Sequence, residues 1–122
     1  MDKTVRTKKQ KGNDLENLVI EYLRQIDSSV KRSRASGASN DIGDIVCKDF
    51  FVEAKNWNKE NVIIDQKIWQ HLLNQMPINS TKTALLIQKS NNGRIFVSLE
   101  IKDFFNLLYK LQELETIVDK VY

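Results

Sequence analysis

Apolar residues recur along this chain with two different periods, and the switches between them mark out its elements. Leu15, Leu18, Val19, Tyr22, Leu23 and Ile26 follow the i, i+3, i+4, i+7 spacing of one buried helix face. Asn13 or Asp14 is placed to cap this helix, which should run to about Asp27, with Glu16 near the border of the stripe. Val30 to Ala35 alternates weakly and reads as a short polar strand, followed by a loop of small residues from Ser36 to Asp41. Asp44–Lys48 and Phe50–Lys55 read as a hairpin turning around Asp49, and 56–61 as a polar connection. A second helix is predicted from about Asp65 to Met76, with Ile68, Trp69, Leu72, Leu73 and Met76 inward and Pro77 stopping it. Thr83–Gln88 and Arg94–Leu99 form a second hairpin around Ser90-Asn91-Asn92-Gly93. A last helix runs from about Ile101 to Val118 with Phe104, Phe105, Leu108, Leu111 and Leu114 as its stripe. Helix, three strands, helix, two strands, helix is the order of an α/β sandwich on a mixed central sheet of about five strands flanked by helices.

Residues 1–12 carry no such period and read as a flexible basic arm, leaving 13–122 as a single domain. At 122 residues there is room for one core. The composition, 41% hydrophobic and 29% charged, is that of an ordinary globular chain. No run approaches the ~18 apolar residues of a membrane span, and the charged N-terminus predicts no signal peptide. The single cysteine, Cys47, excludes an internal disulfide, and with the single histidine, His71, it cannot build a zinc site. A cytoplasmic, reducing compartment is expected.

The net charge is +3, unevenly placed. Residues 1–48 hold ten Lys/Arg (Lys3, Arg6, Lys8, Lys9, Lys11, Arg24, Lys31, Arg32, Arg34, Lys48) against seven acids, whereas 49–122 hold nine against nine. The excess could face a phosphate backbone or be a solvated tail.

The chemistry concentrates between Gly43 and Lys55. Strand alternation puts Glu53 and Lys55 on one face. If Lys48 opposes Phe51, then Val46 opposes Glu53 and Asp44 opposes Lys55, all on that face, provided the turn holds an even number of residues. Oxygen ligands from Asp44 and Glu53 suit a hard ion such as Mg²⁺, with Mn²⁺ as a substitute. Such an ion polarises a phosphate and activates a bound water. Lys55 could orient that water or stabilise transition-state charge, and Glu16 could add a ligand. Exposed Glu-x-Lys on a strand is common and usually solvated. Here, however, both charges interrupt the apolar run Phe50, Phe51, Val52, Ala54, where burial is costly. A structural ion cluster is the alternative.

Four segments in order resemble the PD-(D/E)xK nuclease superfamily, and within it the Holliday-junction resolvases of archaea and phages. They are Lys11-Gly12 followed by Glu16, Arg34 to Ser39, Gly43-Asp44-Ile45, and Val52-Glu53-Ala54-Lys55. The resemblance implies a restriction-endonuclease-like fold and a Mg²⁺-dependent, structure-selective endonuclease, intracellular in a bacterium, an archaeon or a phage-infected cell. It would act as a homodimer on branched DNA, away from membranes. It casts Glu16 as the first-helix glutamate, Asp44 and Glu53 as metal-binding acids, Lys55 as the catalytic lysine and Ser36 as a loop serine needed for cutting. Gly43 stands where the superfamily's name has proline, which leaves Asp41 as a rival to Asp44.

On this reading Lys8, Lys9, Lys11, Arg32, Arg34 and Ser36 contact DNA, the lysines without sequence preference. Gln66 and Gln75 are candidates to touch a metal-bound water or a phosphate, or are solvated polar positions. Trp57 could stack on an exposed base, whereas Trp69 lies on the apolar stripe. Phe50, Ile63, Ile64, Ile117, Val121 and Tyr122 are candidates for a dimer surface or for core. Other small nucleases of the superfamily, of restriction or mobile-element type, and a non-catalytic DNA-binding module of the same fold are the competing functions.

Overall fold

In a computed structural model of the chain, residues 8–32, 45–57 and 59–121 are described. The elements are α1 (Lys8–Arg24), β1 (Lys31–Arg32), β2 (Ile45–Val46), β3 (Phe50–Asn56), α2 (Gln66–Gln75), β4 (Thr83–Lys89), β5 (Ile95–Ser98) and α3 (Ile101–Val121). The five strands lie side by side in chain order. All neighbours are antiparallel except β3 and β4, which run parallel with α2 as their crossover. The expected α/β architecture on a mixed five-stranded sheet is therefore present.

Alternation along β3 and β4 divides the core in two. Val52, Leu85 and Ile87 point to one side and pack with Leu15, Val19, Ile20 and Leu23 of α1 and with Val30, Ile45 and Cys47. Phe51, Ala84 and Leu86 point to the other and pack against Leu72, Ile68, Trp69, Leu73 and Met76 of α2. The long apolar reading of β4 follows, because a strand covered on both faces has no polar side to show. Asp65 caps α2 by accepting from the Lys67 N–H at 2.8 Å, and Pro77 follows the C-cap at Met76, as the sequence predicts. Gly93 takes φ of +90°, the conformation its place in the β4–β5 turn demands.

Three expectations are corrected. The first helix starts at Lys8, not at a cap on Asn13 or Asp14, so 8–12 of the presumed flexible arm are helical. Lys8, Lys9, Gln10 and Lys11 are good helix formers, and the absence of an apolar stripe there hides a helix without preventing one. The first helix also ends at Arg24, short of Asp27. The β2–β3 register differs by two residues from the one supposed: Val46 pairs with Phe51 and Ile45 with Val52. The parity is nevertheless the one required, so Val46 shares a face with Phe51 and hence with Glu53 and Lys55.

The reason for the slip lies in Asp27. Its carboxylate accepts from the Lys48 N–H at 3.0 Å and lies 3.7 Å from Cys47 Sγ, which draws 47–48 out of the ladder. The same carboxylate accepts from the N–H and Oγ of Ser29 at 3.0 and 2.6 Å. From the other side the Thr83 N–H donates to Asp49 O at 3.0 Å, holding the turn against the start of β4.

α3 stands apart. None of its described side chains is buried, and Phe104, Phe105, Leu108, Leu111, Leu114, Ile117 and Val118 are all exposed. Among the described residues, no helix is long and apolar enough to cross a membrane.

Hydrogen bonds from Ser29, followed by that from Lys48, lower the Asp27 pKa from 3.8 to about 2. A depressed carboxylate stabilises the fold above its unfolded pKa and ceases to as pH falls through its folded one. The Asp27→Ala variant should therefore be less stable than wild type at pH 7 in urea denaturation, with the difference shrinking between pH 4 and 2. Leu72→Ala, which empties a fully buried position under α2, should cost about 2–5 kcal/mol in the same assay.

Candidate active site

The candidate residues lie on the C-terminal halves of β3 and β4, the parallel pair of the sheet. Val52 and Ala54 belong to the α1 side. Glu53 and Lys55 alternate with them and share the side of Phe51, beneath α2. Glu53 is 6% exposed, and Lys55 is half-buried. Across the parallel ladder Glu53 pairs with Leu86 and Lys55 with Gln88.

Gln88 escaped the sequence reading. It is wholly buried on the same face as Glu53 and Lys55. Its Nε2 donates to Ile63 O at 3.0 Å, while its Oε1 has no hydrogen-bond partner among the described residues. The signal available was a lone amide ending the run Ala84-Leu85-Leu86-Ile87, where a buried polar group costs stability unless satisfied. The next residue but one, Ser90, is also buried, with its hydroxyl hydrogen-bonded to Asn92.

Glu16 is buried on α1, which covers the other face of β3. Its Oε1 lies 3.4 Å from Arg32 Nη1. Arg32 also donates to Asn13 Oδ1 at 2.8 Å, to Asn13 O at 3.2 Å and to Asn17 Oδ1 at 2.6 Å. Its guanidinium, expected on DNA, thus braces α1 against the short β1. Glu16 and Glu53 issue from opposite sides of β3, and the described geometry does not bring them together.

Of the other expected site residues, Asp44, its rival Asp41, Ser36 and Arg34 lie outside the described residues, as do Lys3 and Arg6 and the side chains of Lys8 and Lys9. Lys11 is half-buried and its carbonyl accepts from Asn56 Nδ2 at 3.1 Å. With Asp14, Trp57, Lys89 and Asn91 it lines a polar cleft of about 410 Å³ at the end of β3 and β4. Trp57 is half-buried there, with its Nε1 buried and no acceptor among the described residues. Trp69 packs in the α2 cluster, as its place on the stripe requires.

Gln66 and Gln75 are separable. The Gln88 contact ties residue 63 to the end of β4, so α2 begins beside that end and runs away from it. Gln66 sits in its first turn. Gln75 lies about 13 Å further along the axis, hydrogen-bonded to His71 at 2.7 Å.

Among the described residues, no three His, Cys, Asp or Glu side chains gather as a metal site. Glu53 is the one acid of β3 itself, so a two-carboxylate ligand set built on β2 and β3 needs Asp44. Comparison with family models, curated proteins and solved structures finds no match to this chain.

Gln88 offers a check on whether this polar row is structural. Replacement by leucine removes one hydrogen bond and a buried carbonyl oxygen, and should change stability by no more than about 1 kcal/mol. Gln88→Glu, which buries a charge, should cost about 3 kcal/mol or more. Urea unfolding of the two variants measures both.

Proposed function

We propose that this chain is a metal-dependent, structure-selective DNA endonuclease of the PD-(D/E)xK superfamily, a Holliday-junction resolvase that hydrolyses phosphodiester bonds in four-way junctions. The observation that carries this reading is Glu53, a carboxylate buried within an apolar strand and sharing its face with Lys55 two residues on. The β2–β3 parity adds support, because it turns Val46 to that same face.

In this proposal Glu53 and Asp44 hold a Mg²⁺ ion, with Mn²⁺ able to replace it. When bound, the ion supplies a Lewis acid and a water of lowered pKa. Lys55 steadies the charge that builds on the phosphate oxygens. Arg34 and Ser36 would contact the strand to be cut. Glu16, held by Arg32, is cast as a positioning residue for α1, not as a first ligand. Gln66 is favoured over Gln75 as a polar neighbour, since it enters α2 at the Gln88 end.

Lys8, Lys9 and Lys11 belong to α1 rather than to a free arm. They would contact the backbone along a helix, beside the cleft that Lys11 and Lys89 line. As a four-way junction has two-fold symmetry, a homodimer would set two such sites on opposing strands. The protein would work in the cytoplasm of a bacterium, an archaeon or a phage-infected cell.

A second reading has a specific observation behind it. Among the described residues no three acids gather around Glu53, which would suit a DNA-binding module that keeps the fold without cutting.

Cleavage of a synthetic four-way junction, beside linear duplex of equal sequence, separates these. With Mg²⁺ the wild type should cut the junction symmetrically near the crossover and leave the duplex intact. Asp44→Asn and Glu53→Gln should lower cutting at least 100-fold, about 2.7 kcal/mol of barrier, with junction affinity largely retained. Equal cutting of duplex would remove the resolvase assignment. Wild-type rates in either variant would remove the site, and binding without cleavage in any divalent ion would favour the module.

A further inference from the structure

We infer that α3 is a dimerisation helix, pairing in parallel with α3 of a second copy as a short two-stranded coiled coil. Phe104, Leu107, Leu111, Leu114 and Val118 recur at spacings of three, four, three and four, the a and d positions of successive heptads. Such a repeat suits a supercoiled partner, and Leu108 and Ile117 at the flanking e and g positions widen the apolar surface it would cover. The seam is uncovered in the chain by itself. Phe104, Leu111, Leu114 and Val118 are 46%, 53%, 60% and 53% exposed, and none of the main packing contacts between elements involves α3.

An apolar seam this long would be costly in water alone. Leu108 and Ile117 beside it are exposed as well. Leaving out Phe105, which faces away from the seam, six large side chains about half exposed at roughly 150–200 Å² apiece amount to ~500 Å² per copy. Two copies reach the ~1,000 Å² in total that a specific interface needs. The seam therefore suffices for a dimer without recruiting another surface.

Charge selects both the partner and its direction. Lys110 and Glu115 occupy the g and e positions that flank the seam. In a parallel pair the g residue of one helix faces the e residue five positions on in the other, so Lys110 meets the partner's Glu115 on both flanks. An antiparallel pair would instead set Glu115 beside Leu108 and Lys110 beside Ile117. A second copy of this chain thus covers the seam and pairs Lys110 with Glu115 at its middle, with Asp103 left opposite Leu108 at its start. The inference rests on the exposure and spacing of α3 and holds whether or not the chain cuts DNA.

The full chain should sediment as a species of twice its 14.2 kDa mass at tens of micromolar. Leu111→Glu with Leu114→Glu should raise the dissociation constant on the order of a hundred-fold or more. The circular dichroism and urea midpoint of the diluted monomer should not change, because both positions are exposed there. Lys110→Glu and Glu115→Lys should each weaken the homodimer, and mixing the two variants should restore dimer as a heterodimer. Val118→Cys should form an interchain disulfide on oxidation, as equivalent a positions adjoin only in a parallel pair. A monomer would overturn the inference, with α3 then folding back onto the apolar groove of Leu18, Tyr22, Leu23, Leu85, Ile95 and Val97. So would a dimer indifferent to the seam variants, and a dimer lost with them but without the disulfide would overturn the parallel arrangement.

Discussion

β3 is covered on both faces, and the rest of the structure follows from that constraint. Its even-numbered side chains must fit the α1 cluster and its odd-numbered ones the α2 cluster, so a slip of one residue would exchange the two cores. Two neighbours fix it in place. The seven-residue parallel ladder with β4 holds one edge, and the turn pinned by Asp27 holds the other through β2. Asp27 is an exposed-side anchor for a buried consequence: by drawing 47–48 out of the strand, it decides which residues of β2 meet which residues of β3.

Much of this was legible because it depends on period alone. The order of elements, the limits of α2 and the turn at Gly93 follow from local chemistry: an Asp cap, a Pro stop, a residue able to take positive φ. What was not legible depends on contacts between distant segments. The helical start at Lys8 has no apolar stripe to reveal it, since its first two turns need pack against little. The β2–β3 register could not be read because Asp27, some twenty residues away, sets it. At the candidate site, the pairing of Glu53 and Lys55 on one face was legible from alternation. The placement of Gln88 beside them needed the parallel register. The engagement of Arg32 by Asn13, Glu16 and Asn17 was hidden for a related reason, since it joins segments distant along the chain.

The two acids of the described chain that lie deepest, Glu16 and Glu53, belong to different layers. Glu16 has an arginine 3.4 Å away and two asparagines that share that arginine, so its burial has a structural account within α1 and β1. Glu53 sits on the other face, in a layer whose core members are Phe51, Ala84, Leu86 and Leu72. The difference matters for function. Removing Glu16 would take one of several α1 partners from Arg32, with any effect on chemistry transmitted through the N-terminal helix, whereas Glu53 can act only where its own oxygens reach.

The polar row made by Glu53, Lys55 and Gln88 is hard to explain by folding alone. Valine or leucine at Glu53 and Gln88 would extend the α2-side cluster, with no carboxylate to desolvate and no amide oxygen to leave without a donor. A local sequence choice that works against the fold, repeated on adjacent strands and at the same end, is what function at that end would require. The row runs to the C-terminal end of parallel β3 and β4, and the cleft lined by Lys11, Trp57 and Lys89 lies at that same end but on the α1 side. An anionic backbone drawn to those lysines would therefore have to cross the end of β3 to reach the carboxylate and the ammonium group two residues apart.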